Sequence, residues 1–263
     1  MTDPQETRDL AGAFQKYFTI APALTAEDRN EVYRIRHDVY CRDLGWEPIR
    51  ADGMETDAAD RHSVHCLLRK QGTGEPVGCT RLILAKGQEE LPFEDSCRHV
   101  LDRSLVDPSQ LPRDTIGEVS RLAVVSAFRQ RKGEQNMAMT SASEANFALD
   151  QPLPRFPFIP VSLYLAAAAV ARHLQVEHVF VLTEPRLASH FSRIGFDIRT
   201  VGGEIEHRGI RVPSLLSSSK VVENLRPMIR PLYDIVQQSV EASFAKHPTV
   251  VDGLKREGWP RET

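Results

Sequence analysis

Two charged residues, Glu118 and Arg121, stand inside an apolar run at 116–125, where Ile116, Val119, Leu122, Val124 and Val125 give the β-branched character of a strand covered on both faces. An unpaired carboxylate is very unfavourable in such a place, so something must face the two charges. Ion pairing, mutual or with a third group, would satisfy them. Burial also raises a carboxyl pKa and would suit Glu118 to accept protons, although a nearby Arg121 or Arg81 would oppose that rise. Arg36 sits in the same kind of setting, on an inward helical stripe, and Arg81 falls mid-strand. Asp57 and Asp60, three residues apart, share a long loop with Trp46, a combination suited to covering a polar substrate. The two acids have no third ligand nearby, and no metal is expected. Directly after the strand, FRQRKG places Arg129, Arg131 and Lys132 before Gly133 at the start of a helical pattern. Such a turn is either a phosphate-binding anion site or a solvated charge run.

A chain of 263 residues with net charge −3 can bury a full core, and its charge points to neither nucleic acid nor a membrane surface. No apolar run reaches membrane-spanning length, and the polar, acidic start is unlike a signal peptide, so a cytoplasmic protein is expected. Cys41, Cys66, Cys79 and Cys97 are widely spaced with no CxxC, and are read as reduced thiols.

These residues need elements to hold them. Residues 14–24 read as a first strand. Thr25 then caps a helix whose Val32, Ile35, Arg36, Val39, Tyr40 and Leu44 share a face, ending at Gly45. Residues 46–60 form the loop. QGTGEP joins strands at 63–68 and 77–84, with Val77, Cys79, Arg81 and Ile83 on one face. Residues 86–113 are an irregular insertion with a short helix near 94–101. A helix is expected over 134–149, and an alanine-rich helix over 161–174 can lie close to a sheet. A buried strand at 178–183 and a helix at 185–193 closed by Gly195 follow. Short strands near 196–199 and 204–207 come next, then a helix over 218–246 interrupted by Pro227 and Pro231.

The element order, the strand–basic turn–helix succession and the pattern RLASHFSRIGF at 186–196 resemble the GNAT acyltransferases. Arg36, Tyr40, Trp46, Asp57, Asp60, Arg81, Glu118, Ser120 and Arg121 occur in the order and nearly the spacing of the polar signature of acyl-homoserine-lactone (autoinducer) synthases. From Tyr17 through HSVHCLLR, GEVSRLAV and EPRL, the chain is similar to the acyltransferase-like family associated with PEP-CTERM/exosortase systems, and also to N-acyl amino acid synthases. The resemblance covers about residues 12–245. It implies an α/β (α+β) GNAT fold: a mixed, mostly antiparallel central sheet flanked by helices. The expected domain spans 12–212, with residues 213–263 as a C-terminal helical extension on the same domain.

The resemblance also implies chemistry. An amine attacks a thioester only when unprotonated, so the site needs a proton acceptor and donors for the developing oxyanion. Glu118 is the acceptor expected, with backbone N–H groups near 122–124 as the donors, at a bulge that splays two strands. Arg36, Arg81 and Arg121, with Asp57 and Asp60, would shape the acceptor side, beside Ser120 and under Trp46. Leu122, Val124, Tyr164, Phe180 and Leu182 would line the path of the acyl chain. Each of these five is equally an ordinary core residue. Arg129, Arg131, Lys132 and Gly133 would meet the donor's phosphopantetheine or an acidic carrier. A single glycine there departs from the usual phosphate loop and favours acyl carrier protein over coenzyme A. The expected activity is N-acyl transfer from acyl carrier protein to a small amino-acid-like amine, with no tightly bound cofactor. Acyl-coenzyme A dependence and a non-catalytic acyl-binding role are the alternatives.

Overall fold

The structure is a computed structural model and describes residues 10–129, 158–256 and 259. The helix expected over 134–149 lies outside them, as do Arg131, Lys132 and Gly133.

Leu10 and Phe14, four residues apart, form the buried stripe of a helix, α1 (Leu10–Tyr17), so the first strand begins later than expected, as β1 (Phe18–Pro22). Thr25 caps α2 (Ala26–Arg36), its hydroxyl accepting from the Asp28 N–H at 3.1 Å. The helix widens into a π-helical stretch, His37–Asp43, and stops at Gly45, which has φ +63°. After the loop, a 3₁₀ turn (Ala58–His62) leads into β2 (Ser63–Lys70) and β3 (Pro76–Leu84). The insertion contains α3 (Pro92–Ser96), shorter and earlier than expected, and ends at β4 (Ile116–Val124). Then come α4 (Phe158–His173), β5 (His178–Thr183), α5 (Pro185–Ile194), β6 (Arg199–Thr200), β7 (Ile205–Glu206) and β8 (Ile210–Ser217). Helices α6 (Ser218–Asn224), α7 (Arg230–Lys246) and α8 (Pro248–Arg256) follow.

One sheet runs in the order β1-β2-β3-β4-β5-β8-β6, with β7 paired to β8. Among the described residues, only β4 and β5 pair in parallel. Helices α1, α4 and α7 cover one face, where the alanines of α4 lie buried against β1 to β4. On the other face α2 packs over β2 to β4, while the insertion packs over β3 to β5 with the Phe93 ring stacked 4.3 Å from Phe180. That face is open between α2 and the insertion.

Three sequence readings are corrected here. Val77 joins the α4 face rather than that of Cys79 and Arg81, because the β2–β3 register shifts beside it. β8 is a full strand through Pro213, and the boundary expected after residue 212 falls inside it. The Pro213 carbonyl accepts from the Val201 N–H, so the N–H that proline lacks belongs to that edge and the ladder with β5 is intact. Only Pro227 breaks the C-terminal helix. Pro231 stands in the first turn of α7, where no N–H is required.

Gly195 ends α5 with φ +101°, and a Cβ there would meet the backbone oxygen of Asn224 at 2.3 Å. Gly195→Ala is expected to cost about 1–3 kcal/mol in overpacking, beyond the left-handed backbone penalty. Chemical denaturation of this variant measures that loss directly.

Candidate active site

The opening on the α2 face is a cleft of about 490 Å³. Two irregularities in β4 create it. Cys79 pairs with Ala123 and Arg81 with Ser120, so Arg121 and Leu122 together oppose Thr80, and Arg121 takes φ +52°. This is a β-bulge, which twists the strand and re-aims its side chains. On its other edge β4 pairs β5 only from Ile116↔His178 to Val119↔Val181. Beyond that the strands part, and Leu122, Val181, Leu182 and Thr183 line the gap. The Val125 N–H bonds to the Val77 carbonyl at 2.9 Å on the β3 side. Neighbouring N–H groups of an extended strand point to opposite edges, so the Val124 N–H is directed towards the gap.

Beneath the cleft lies a dense ion-pair network. Arg36, fully buried, donates from Nε to Glu55 at 2.5 Å and from Nη1 to Asp60 at 2.6 Å. Arg81 donates to Asp57 at 2.6 Å, to Asp60 at 2.7 Å and to the Ser120 hydroxyl at 3.0 Å. Arg121 reaches Glu47 and Glu55 at 3.3 Å and Asp57 at 3.2 Å, all through one nitrogen, Nη2. The loop holds its acids ready through a reciprocal cap, the Asp57 N–H donating to Asp60 and the Ala59 N–H to Asp57. Burial would push the Asp60 carboxyl up, but Arg36 and Arg81 outweigh it and hold it well below the usual carboxylate range. His65, 3.5 Å from Asp60, is neutral, since burial lowers its pKa to about 3. Its contact is therefore not an ion pair.

Glu118 is set apart from this network. Its carboxylate accepts the Phe93 N–H at 2.8 Å, and among the described residues it has no ion-pair partner. Burial raises its pKa to about 7, against the opposing pull of the Phe93 N–H, Arg81 and Arg121. The mutual pairing of Glu118 and Arg121 open to the sequence is not what forms: Arg121 turns to the loop acids. One cleft thus holds a permanently ionised cluster and a single carboxyl group that exchanges its proton near neutrality.

Trp46, Asp57, Arg81, Glu118, Ser120, Arg121, Leu122, Tyr164 and Leu182 all line the cleft. Arg36 and Asp60 lie buried below it, and neither side chain lines the cleft. Val124 packs its side chain in the α4 core, and Phe180 is covered by Phe93. Neither side chain lines the cleft, which removes both from the expected acyl path. Arg129 pairs with Asp43. Glu47, Glu55, Phe93, Glu184, Arg208 and Arg211 escaped the sequence reading. Glu55 had a signal, because three inward arginines against two aspartates leave a charge deficit in the same acidic loop. Glu47 stands in that same loop beside Trp46, while Phe93, Glu184, Arg208 and Arg211 arrive from remote segments. Among the described residues, no group of three or more His, Cys, Asp or Glu side chains could hold a metal ion.

Asp60→Asn would leave two buried guanidinium groups short of a counter-charge, a loss expected to cost about 3–5 kcal/mol. The same interaction sets an acid limit. With the native pKa depressed, the stabilisation is complete above the unfolded value of 3.8 and disappears as pH falls below it. Urea titrations of both proteins at pH 7 and pH 3 should show the gap between them narrowing in acid.

Residues 35–139 match the family model described as an acetyltransferase (GNAT) domain. No curated protein matches the chain. Among solved structures, TofI in a ternary complex with an inhibitor and MTA is 21% identical with a TM-score of 0.54, covering 80% of this chain and 97% of its own. BjaI, a CoA-dependent acyl-homoserine lactone synthase with SAM and isopentyl-CoA, is 19% identical at a TM-score of 0.55, covering 83% and 89%. FeeM, an N-acyl amino acid synthase from uncultured soil microbes, is 13% identical at 0.51, covering 79% and 94%. The chain has the GNAT-type α/β fold, a mixed and mostly antiparallel open sheet flanked by helices and shared with GNAT-like acyltransferases.

Proposed function

We propose that the protein is an N-acyltransferase that moves a fatty acyl group from the thioester of an acyl carrier protein to the amine of a small amino-acid-like acceptor. The observation that carries this reading is Glu118: a buried carboxyl group with a pKa near 7, lining a cleft at the point where β4 and β5 part. The acceptor nitrogen attacks the thioester carbon, and the C–N bond forms. Glu118 takes the proton released by the nitrogen. The C–S bond then breaks, and the thiolate leaves with that proton. The Val124 N–H, directed into the strand gap, serves the oxyanion. A small apolar recess lined by Val119, Tyr164, Ala168 and Val181 shares Val119, Tyr164 and Val181 with the cleft and suits the start of an acyl chain. Carrier protein as donor, rather than coenzyme A, rests on the single glycine in the sequence at 129–133 and on the family resemblance. BjaI, described as CoA-dependent, favours the second donor. Acylated carrier and matched acyl-coenzyme A, each offered with a panel of amino acids, should yield N-acyl product by mass spectrometry, faster from the carrier. No product from either donor would refute the reading.

Glu118→Gln separates catalysis from folding. Its amide oxygen can still accept the Phe93 N–H, while the base is lost, so single-turnover rates should fall by about 10²–10⁴-fold. Stability should move the other way. Native Glu118 keeps its proton up to about pH 7 and the unfolded residue only to about 4.5, so the wild type loses stability as pH rises between these values. At pH 8 the variant should be more stable by about 3 kcal/mol, with no difference below pH 4.5. A variant that is destabilised yet fully active would remove Glu118 from the mechanism.

A further inference from the structure

We infer that Arg208 determines specificity for a carboxylate on the acceptor, and that Glu47 is the chain's own carboxylate held in that seat until the acceptor displaces it. This deepens the acyltransfer reading and rests on it for the identity of the reaction.

Glu47 places one oxygen, Oε1, between two guanidinium groups, 3.3 Å from Arg121 and 2.5 Å from Arg208. Both arginines line the cleft. Neither belongs to the segment of Glu47: Arg121 comes from the β4 bulge, and Arg208 from the turn joining β7 to β8. The seat has aromatic backing as well. Arg121 lies 5.7 Å over the Tyr40 ring and Arg208 lies 5.6 Å over Trp46, and these two rings are stacked 6.0 Å apart.

The backbone is bent to make this arrangement. Three non-glycine residues among those described have positive φ, and two of them are Arg121 and Arg208, at 52° and 56°. A left-handed backbone is unfavourable for an ordinary residue and persists where surrounding structure imposes it. Here it aims both guanidinium groups at one carboxylate.

Arg121 also has donors to spare. All of its acid contacts use Nη2, and its buried Nε has no acceptor among the described residues. A carboxylate with two free oxygens could bridge the edge of this guanidinium and Arg208, where Glu47 offers one oxygen. With Glu47 displaced, the cleft and the network beneath it set five arginines (Arg36, Arg81, Arg121, Arg208 and Arg211) against five carboxyl groups (Glu55, Asp57, Asp60, Glu118 and Glu184), so a guest carboxylate restores the charge that Glu47 withdraws. Glu118 and Arg121 stand three residues apart on β4 and line the same cleft, so an amine beside Glu118 and a carboxylate on Arg121 suit the two ends of an α-amino acid. Exchange of Glu47 for the guest keeps the arginines compensated in both states. It also makes an acceptor without a carboxylate a poor ligand.

The test compares α-amino acids with the matched amines lacking the carboxylate, on the full chain and on Arg208→Gln and Glu47→Gln. The ratio of kcat/KM between amino acid and amine should fall by about tenfold or more in Arg208→Gln, the loss expected for one charge-assisted contact. It should rise several-fold in Glu47→Gln, which removes the internal competitor. Equal effects on both acceptor classes would overturn the inference while leaving acyl transfer intact. Calorimetric titration with an N-acyl amino acid and its decarboxylated counterpart gives an answer independent of turnover. Tighter binding of the carboxylate form, lost in Arg208→Gln, supports the seat even if no transfer is found, and equal binding of the two sinks it.

Discussion

Burial of two guanidinium groups, Arg36 and Arg81, under a cleft open to solvent is the constraint on which the rest of the site depends. A buried charge without partners costs several kcal/mol, so acids must be delivered to them from elsewhere in the chain. The long loop after α2 does this with Glu55, Asp57 and Asp60, and meeting that demand fixes the loop. Trp46 and Glu47 are seated at its start, where their N–H groups bond to the Tyr40 carbonyl. A segment that composition alone describes as a polar loop is therefore one wall of the cleft.

The network gains its effect by what it leaves out. Asp60 and Glu55 are held ionised by arginines despite burial, whereas Glu118 meets a backbone N–H instead and is governed by desolvation. Carboxyl groups lining and underlying one cleft thus have opposite pKa shifts, set by whether a guanidinium or a peptide group faces them. Such a division places a proton-exchanging group beside a fixed electrostatic frame, the combination that acid–base chemistry at neutral pH requires. The insertion supplies the Phe93 N–H, which tempers that rise without cancelling it, and the Phe93 ring also closes the core over Phe180.

The bulge joins these parts. One extra residue in β4 turns Arg121 towards the loop acids, and Tyr40 donates to the Leu122 carbonyl at 2.7 Å, tying the bulge to the π-helical end of α2. On the opposite edge the same strand loses β5 and exposes backbone groups to the gap. Charge frame, the carboxyl group with the raised pKa and the peptide groups facing the gap consequently share a few residues of one strand.

Residue type and spacing determined much of this. Charges inside apolar periodicity marked Arg36, Arg81, Glu118 and Arg121 as residues needing partners, because burial of a lone charge is prohibitive. Turn and cap chemistry located α2, the β2–β3 hairpin and the Gly195 stop, since those signals are local. What each charge faces was decided by tertiary structure alone. Glu118 could pair with arginine on sequence grounds, and only the fold places the Phe93 N–H, from 25 residues away, against it. The one-residue bulges at Val77 and Arg121 break strand periodicity through pairing with neighbours, which no single strand records. Arg208 reaches Glu47 across 161 residues of chain, and β8 runs through Pro213 because the missing N–H falls on an edge that only the assembled sheet defines. Local pattern reports which groups must be satisfied, and packing between distant segments chooses what satisfies them.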